Sequence, residues 1–267
     1  MNGQATAAID AGDRGLQYGD GVFRTLAVRA GRALNWQRHY RLLARDCAMI
    51  GLDCPMQDLL AAEVGRVATG DATVKVIVTR GASGRGYGYG DGAEPTRIVA
   101  AYPAFADASA ARDGVRVRRC SLVLADQPRL AGVKSLNRLE NVLARAEWRD
   151  PEIREGLLAD GGGRLIEGTM SNVFLAAGAR LVTPALTRCG VSGAQRERIL
   201  DIASAAGIAC EVRDVAFDEL RGAGEVFLAN SLIGVWPVVA LDDWHWAPGP
   251  IARHLQERIG EEDAAGV

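Results

Sequence analysis

Of the 31 basic residues in this 267-residue chain only two are lysines, Lys75 and Lys134. Arginine supplies charge as well as lysine does, but a guanidinium cannot form a Schiff base and a primary amine can. The two lysines are therefore the first candidates for covalent or acid–base chemistry. Lys75 lies in Thr73-Val74-Lys75-Val76-Ile77-Val78-Thr79. This β-branched run predicts a strand with one buried face, and it admits a purely structural lysine. Lys134 sits in Leu130-Ala131-Gly132-Val133-Lys134-Ser135-Leu136-Asn137-Arg138-Leu139-Glu140-Asn141, where a glycine-containing loop runs into a helix continuing through Leu143, Ala144 and Ala146. An amine among apolar neighbours at such a junction is partly desolvated, which lowers its pKa toward that of a useful nucleophile or base. Lys134 is the leading candidate.

Three further segments hold groups that could serve that amine. Glu167, in Gly163-Arg164-Leu165-Ile166-Glu167-Gly168-Thr169-Met170-Ser171-Asn172-Val173-Phe174, stands between strand-like apolar residues and a small polar turn. Its carboxylate either pairs with a protonated heterocyclic nitrogen or is a solvated turn glutamate. Gly190-Val191-Ser192-Gly193-Ala194-Gln195-Arg196 opens a helix. Backbone N–H groups at such a start offer an anion site, and plain capping by Ser192 is the alternative. Arg85 and Tyr87 project from a glycine-rich stretch, residues 80–92. The planar fork of Arg85 suits a substrate carboxylate, unless the loop is only a surface feature. The glycines make no phosphate loop, because no G-x-x-x-x-G-K-[ST] occurs.

The elements that must position these groups read as follows. Residues 22–28 predict a strand that turns at Arg29-Ala30-Gly31-Arg32 and returns at Ala33-Leu34. Two helices follow, one through Leu42, Leu43, Cys47 and Ile50 to Gly51, the next opening at Pro55 and repeating Leu59, Leu60, Val64 and Val67. Strands are expected at 73–79 and 97–102. An alanine-rich, polar stretch at 103–113 marks a boundary between a small lobe, 1–106, and a larger one, 107–267. In the second lobe the pattern predicts strands at 115–122, 156–159, 172–176, 181–182, 211–213, 226–228 and 235–239, a helix at 193–206, and a frayed tail at 261–267. Without regular βαβ alternation, the fold class is α+β with largely antiparallel sheets.

Bulk composition excludes several function classes. The net charge is -2, from 31 basic and 33 acidic residues, so no nucleic-acid partner is expected. No apolar run is long enough to span a bilayer, and the first ten residues lack the basic start and apolar stretch of a secretory signal, so no membrane association and a cytoplasmic location are expected. The five cysteines, Cys47, Cys54, Cys120, Cys189 and Cys210, and the three histidines show no metal-ligand spacing, so no metal is expected.

Taken in order along the chain, the motifs resemble those of the fold-type IV pyridoxal-phosphate (PLP) enzymes, which include branched-chain and D-amino-acid aminotransferases and aminodeoxychorismate lyases. The resemblance rests on Asp13-Arg14-Gly15-Leu16-Gln17-Tyr18-Gly19-Asp20-Gly21-Val22-Phe23, the Lys134 segment, the run from Glu167 to Phe174, the run from Gly190 to Arg196, and Ala229-Asn230-Ser231. Arg80-Gly81-Ala82-Ser83-Gly84-Arg85-Gly86-Tyr87 and Lys134-Ser135-Leu136-Asn137-Arg138-Leu139-Glu140 are most similar to the lyase branch. The resemblance implies two α+β lobes of the D-amino-acid aminotransferase type with PLP between them, in a homodimer whose partner chain helps complete the site. It implies that Lys134 holds the cofactor through a Schiff base and acts as acid and base, and that Glu167 pairs with the pyridine nitrogen. The phosphate would rest on Gly193, Ala194 and Gln195, with Ser231 and Leu232 on its other side. Arg85, Tyr87 and Phe23 would meet the substrate. The family usually carries a phosphate-binding arginine in a His-x-x-Arg-Leu helix; here His39 is followed by Tyr40-Arg41-Leu42, and the expected position holds Leu42. Arg41 is the substitute if the register slips, with Arg38 and Arg45 on adjacent turns. The implied activity is conversion of 4-amino-4-deoxychorismate into 4-aminobenzoate and pyruvate, a step toward folate. The rival activities are transamination of a D- or branched-chain amino acid, using the same Lys134 and Glu167, and a non-catalytic role.

Overall fold

The computed structural model describes residues 1–90, 93–178 and 180–266. Asp91 and Gly92, at the end of the glycine-rich stretch, Ala179 and the terminal Val267 lie outside the described residues. The chain divides into two compact units, Met1–Phe105 with Val133–Asn137, and Ala106–Gly132 with Arg138–Val267. A linear boundary near residue 106 puts Lys134 in the second unit, whereas its segment, Val133–Asn137, belongs to the first. Among the described residues no helix is long and apolar enough to cross a membrane.

The first unit runs α1 (Arg14–Tyr18), β1 (Gly21–Arg29), β2 (Arg32–Ala33), α2 (Trp36–Met49), α3 (Gln57–Val67), β3 (Ala72–Thr79) and β4 (Thr96–Pro103). The strands form an antiparallel sheet in the order β2-β1-β3-β4. Alternation decides its faces: Val74, Val76 and Val78 are buried with Val22, Leu26 and Val28 against Leu43, Cys47, Leu60 and Val64 of the two helices. Lys75 and Ile77 therefore lie on the other face. The short α1 was not foreseen, because five residues are too few to show a helical period; Asp13 caps it by accepting the Gly15 N–H at 2.8 Å.

The second unit runs α4 (Ala108–Asp113), β5 (Val115–Leu124), α5 (Leu139–Arg145), β6 (Ile153–Asp160), β7 (Leu165–Gly168), β8 (Asn172–Ala177), β9 (Arg180–Pro184), α6 (Ala194–Ala205), β10 (Cys210–Arg213), β11 (Glu225–Asn230), β12 (Gly234–Leu241), β13 (Trp244–His245) and α7 (Pro250–Ala265). Its sheet has the order β10-β9-β8-β11-β12-β5-β6-β7, with β13 beside β12. It is mixed rather than largely antiparallel, since β9 with β10, β12 with β5, and β5 with β6 are parallel. The stretch expected to be a boundary contains α4, capped by Asp107. Residues 261–265 of the stretch expected to fray continue α7, which packs Ala252, Leu255 and Ile259 on Phe174, Ile199 and Phe227 and pairs Glu262 and Asp263 with Arg198. The α+β class stands.

Candidate active site

Lys134 is fixed through its backbone before its side chain does anything. Its segment runs beside β1: the Phe23 N–H donates to the Lys134 carbonyl at 3.0 Å and the Leu136 N–H to the Gly21 carbonyl at 2.9 Å. The Lys134 N–H donates to Asp46 Oδ2 at 3.0 Å. The side chain is half-buried, with Nζ 4.7 Å from the centroid of the Phe23 ring. Lys75 Nζ lies 4.5 Å from the same centroid. Of the expected site residues, Lys134 and Phe23 are thus brought together, and Lys75 joins them.

Asp46 was missed in the sequence, and so was its partner. Arg24 occupies the core face of β1, 2% exposed, and its Nη2 donates to Asp46 and, at 3.2 Å, to the Leu42 carbonyl. Asp46, 0% exposed, also accepts from Arg45 Nη2 at 2.9 Å. The only signal was an arginine at an inward position of an otherwise apolar strand. Arg41, the expected phosphate ligand, is exposed on α2, while Leu42 is buried. The guanidinium groups that act on the neighbouring His39 are those of Arg24 and Arg38.

His39 is buried, and burial first, then the charges of Arg24, Lys134 and Arg38, push its pKa down to about 3. The folded state keeps this ring neutral, whereas the unfolded chain protonates it as pH falls through the ordinary value of about 6.5. Between those two values the unfolded state binds more protons, so the contribution is fully present above pH ~6.5 and is lost on acidification. Between pH 7 and pH 5 this one residue is expected to remove about 2 kcal/mol. Urea midpoints of the cofactor-free protein and of His39→Phe at the two pH values check it; the variant should lose less stability by that amount.

On the second unit, Glu167 sits in β7, every residue of which is buried, and is itself 4% exposed. Its Oε2 accepts the Val191 N–H at 2.8 Å. Asn172 closes the other side of the same loop: its amide donates to the Val191 carbonyl at 2.7 Å and its Oδ1 accepts the Gly193 N–H at 3.1 Å. Gly193 is the N-cap of α6 and supplies no side chain, so Ser192 is not the cap. A Cβ on Gly193 would lie 2.3 Å from Asn172 Oδ1, which is why glycine is required there. Ala194 and Gln195 follow in the first turn, whose N–H groups have no acceptor within a helix. Gln195 Nε2 is buried with no hydrogen-bond partner among the described residues.

Two turns complete this side. Glu155, 1% exposed, accepts from the Thr169 N–H at 3.0 Å, the Met170 N–H at 3.1 Å and Ser171 Oγ at 2.8 Å, holding the turn that follows Glu167. Burial pushes its carboxyl up against those bonds. Asn230 ties that turn to the next by donating to the Met170 carbonyl at 3.0 Å. Its Oδ1 accepts the N–H groups of Leu232 at 2.8 Å and Ile233 at 2.9 Å. Asn230 thus fixes the backbone of Leu232, and Ser231 lies half-buried between them in the chain.

Arg85 and Tyr87 are exposed in their loop, with Tyr87 against Tyr18 at 5.5 Å between ring centroids. The loop has a buried anchor that sequence reasoning passed over. Arg14, 3% exposed, donates to the carbonyls of Gly86 at 2.9 Å and Tyr87 at 3.0 Å. Arg14 and Arg80 share Asp20 at 2.9 and 2.8 Å. Burial opposes the Asp20 anion, but these two arginines outweigh it and hold its carboxyl below the usual range. Elsewhere Asp126, Asp160 and Cys189 lie close together, but Arg164 contacts both carboxylates.

The arrangement offers a positioned primary amine on one unit. On the other it offers a buried carboxylate joined through one loop to a helix start. Comparison with known proteins gives this pattern a family. Residues 21–241 match the model of the amino-transferase class IV family. Aminodeoxychorismate lyase of Vibrio harveyi is 33% identical over 97% of this chain and 98% of its own length. The crystal structure of 4-amino-4-deoxychorismate lyase from Pseudomonas aeruginosa superposes with a TM-score of 0.94 at 42% identity, covering 98% of this chain and 97% of that one. A hypothetical aminotransferase from Mycobacterium tuberculosis in its PLP-bound form gives a TM-score of 0.82 at 25% identity over 98% of this chain and 94% of that one. With the family model spanning most of its length, the chain belongs to the amino-transferase class IV family.

Proposed function

We propose that the protein is a PLP-dependent lyase that converts 4-amino-4-deoxychorismate into 4-aminobenzoate and pyruvate, a step toward folate. The observation that carries this is Lys134, an amine fixed at its backbone on both sides and laid over Phe23. The lyase branch is favoured because the two lyases match at 42% and 33% identity, against 29% for D-alanine aminotransferase of Bacillus licheniformis over 96% of this chain.

The residues fit the cofactor. The buried, hydrogen-bonded Glu167 suits a protonated ring nitrogen, and the side-chain-free helix start with the orphaned Gln195 amide suits a phosphate. When bound, PLP supplies an electron sink for the carbanion formed at the carbon bearing the amine. Lys134 Nζ would hold the cofactor and take that carbon's proton. Glu167 would keep the ring nitrogen charged, and the N–H groups of Ala194 and Gln195 would hold the phosphate. Arg85, with Tyr87 beside it, would receive a substrate carboxylate. A homodimer is part of the reading: Leu139, Val142 and Leu143 of α5 are 68, 60 and 54% exposed at helical spacing, an apolar face that a lone subunit would leave in water.

The test is direct. Purified protein with PLP is expected to release pyruvate from aminodeoxychorismate with no amino acceptor present. If it instead transfers the amino group of D-alanine to a keto acid and leaves aminodeoxychorismate untouched, it is a transaminase.

A further inference from the structure

Resting on that reading, we propose that Lys75 is a substrate-binding residue whose ammonium receives one of the substrate's two carboxylates. Both products of the lyase reaction are carboxylates, so the substrate carries two, and Arg85 accounts for one. A simple amino acid offered to a transaminase carries a single backbone carboxylate. A second cation beside Lys134 is what a dicarboxylate requires, and it would favour the lyase substrate over the amino acid.

The geometry points to Lys75. It lies in the middle of β3, and its neighbours Val74 and Val76 face the core, so its own side chain takes the opposite face. There it does not run out to water as strand lysines usually do. It lies over the Phe23 ring at 4.5 Å, and Lys134 Nζ lies over the same ring at 4.7 Å. The two amines are therefore no farther apart than the sum of those distances. Among the described residues no carboxylate stands within ion-pair reach of Lys75, although the amine is half-buried and that burial lowers its pKa. A partly dehydrated cation without an anion gains most from one that arrives with the substrate. Arginine fills every other basic position outside Lys134.

The experiment compares Lys75→Met, which keeps the apolar stem over Phe23, with Lys75→Arg and wild type, all loaded with PLP. Lys75→Met is expected to raise KM for aminodeoxychorismate about 10- to 100-fold with kcat changed less than about threefold. Lys75→Arg should recover most of the loss. Calorimetric titration gives a readout without turnover: Lys75→Met should weaken binding of either 4-aminobenzoate or pyruvate and leave the other unchanged, which identifies the carboxylate held. Unchanged KM and unchanged affinity for both products overturn the proposal. A collapse of kcat at constant KM also overturns it, because Lys75 would then be moving a proton. If wild type releases no pyruvate the lyase reading fails by itself, and the product titrations still decide whether Lys75 binds a carboxylate.

Discussion

Lys134→Arg is expected to lower turnover of aminodeoxychorismate by about 10³-fold or more while leaving the fold intact. The substitution keeps nearly everything that a structural lysine could contribute. A positive charge still lies over Phe23, and the backbone N–H still reaches Asp46 Oδ2. What disappears is an amine that can lose its proton and form a carbon–nitrogen double bond, which a guanidinium cannot do. Pyruvate release measures the rate. Borohydride reduction followed by peptide mass analysis measures the covalent link: the wild-type peptide containing residue 134 should gain the cofactor's mass, and no peptide of the variant should. Lys75→Arg is the matched control, since that amine reaches the same ring; it should keep kcat and the adduct at residue 134. A Lys134→Arg enzyme within tenfold of wild type, or an adduct on Lys75, would show that the wrong lysine has been chosen.

Why Lys134 could be read from the sequence and its supports could not is a matter of distance along the chain. The scarcity of lysine singles out an amine without any three-dimensional information. Glu167 and the helix start at Gly193 were legible because each lies in a short run of distinctive composition. The loop that joins them does so through Val191 and Asn172, residues whose side-chain types carry no catalytic signal. Asp46 is separated from Lys134 by 88 positions and from Arg24 by 22, and only folding brings the three together. Arg14 reads locally as part of a turn, yet it anchors carbonyls 72 and 73 positions away. At Leu42 the departure is visible in the sequence but its consequence is not: the residue is buried in the helix, and the arginine that reaches its carbonyl comes from β1. The C-terminal helix is a different kind of miss. Ala252, Leu255 and Ile259 recur at helical spacing after Pro250 at the first turn, so that signal was present and the abundance of charge around it obscured it.

Asp46→Ala is expected to cost about 3–5 kcal/mol of stability, and the reason is the charge it leaves behind. The Arg24 guanidinium is 2% exposed and points from a strand into a helix-covered core, so without Asp46 it has a positive charge that water cannot reach. The Lys134 N–H loses its acceptor at the same time. Thermal and urea unfolding should both move to lower values, and kcat should fall about 10²-fold as the reactive amine loses its fixed origin. The double variant Arg24→Met with Asp46→Ala separates the two effects. Removing both charges relieves the buried cation, so most of the stability should return, as it commonly does when an apolar side chain replaces a buried ion pair. Turnover should stay low, because the double variant still lacks the Asp46 carboxylate that accepts the Lys134 N–H. If activity returns together with stability, Asp46 serves only to neutralise Arg24, and the backbone bond to Lys134 has no part in placing the amine.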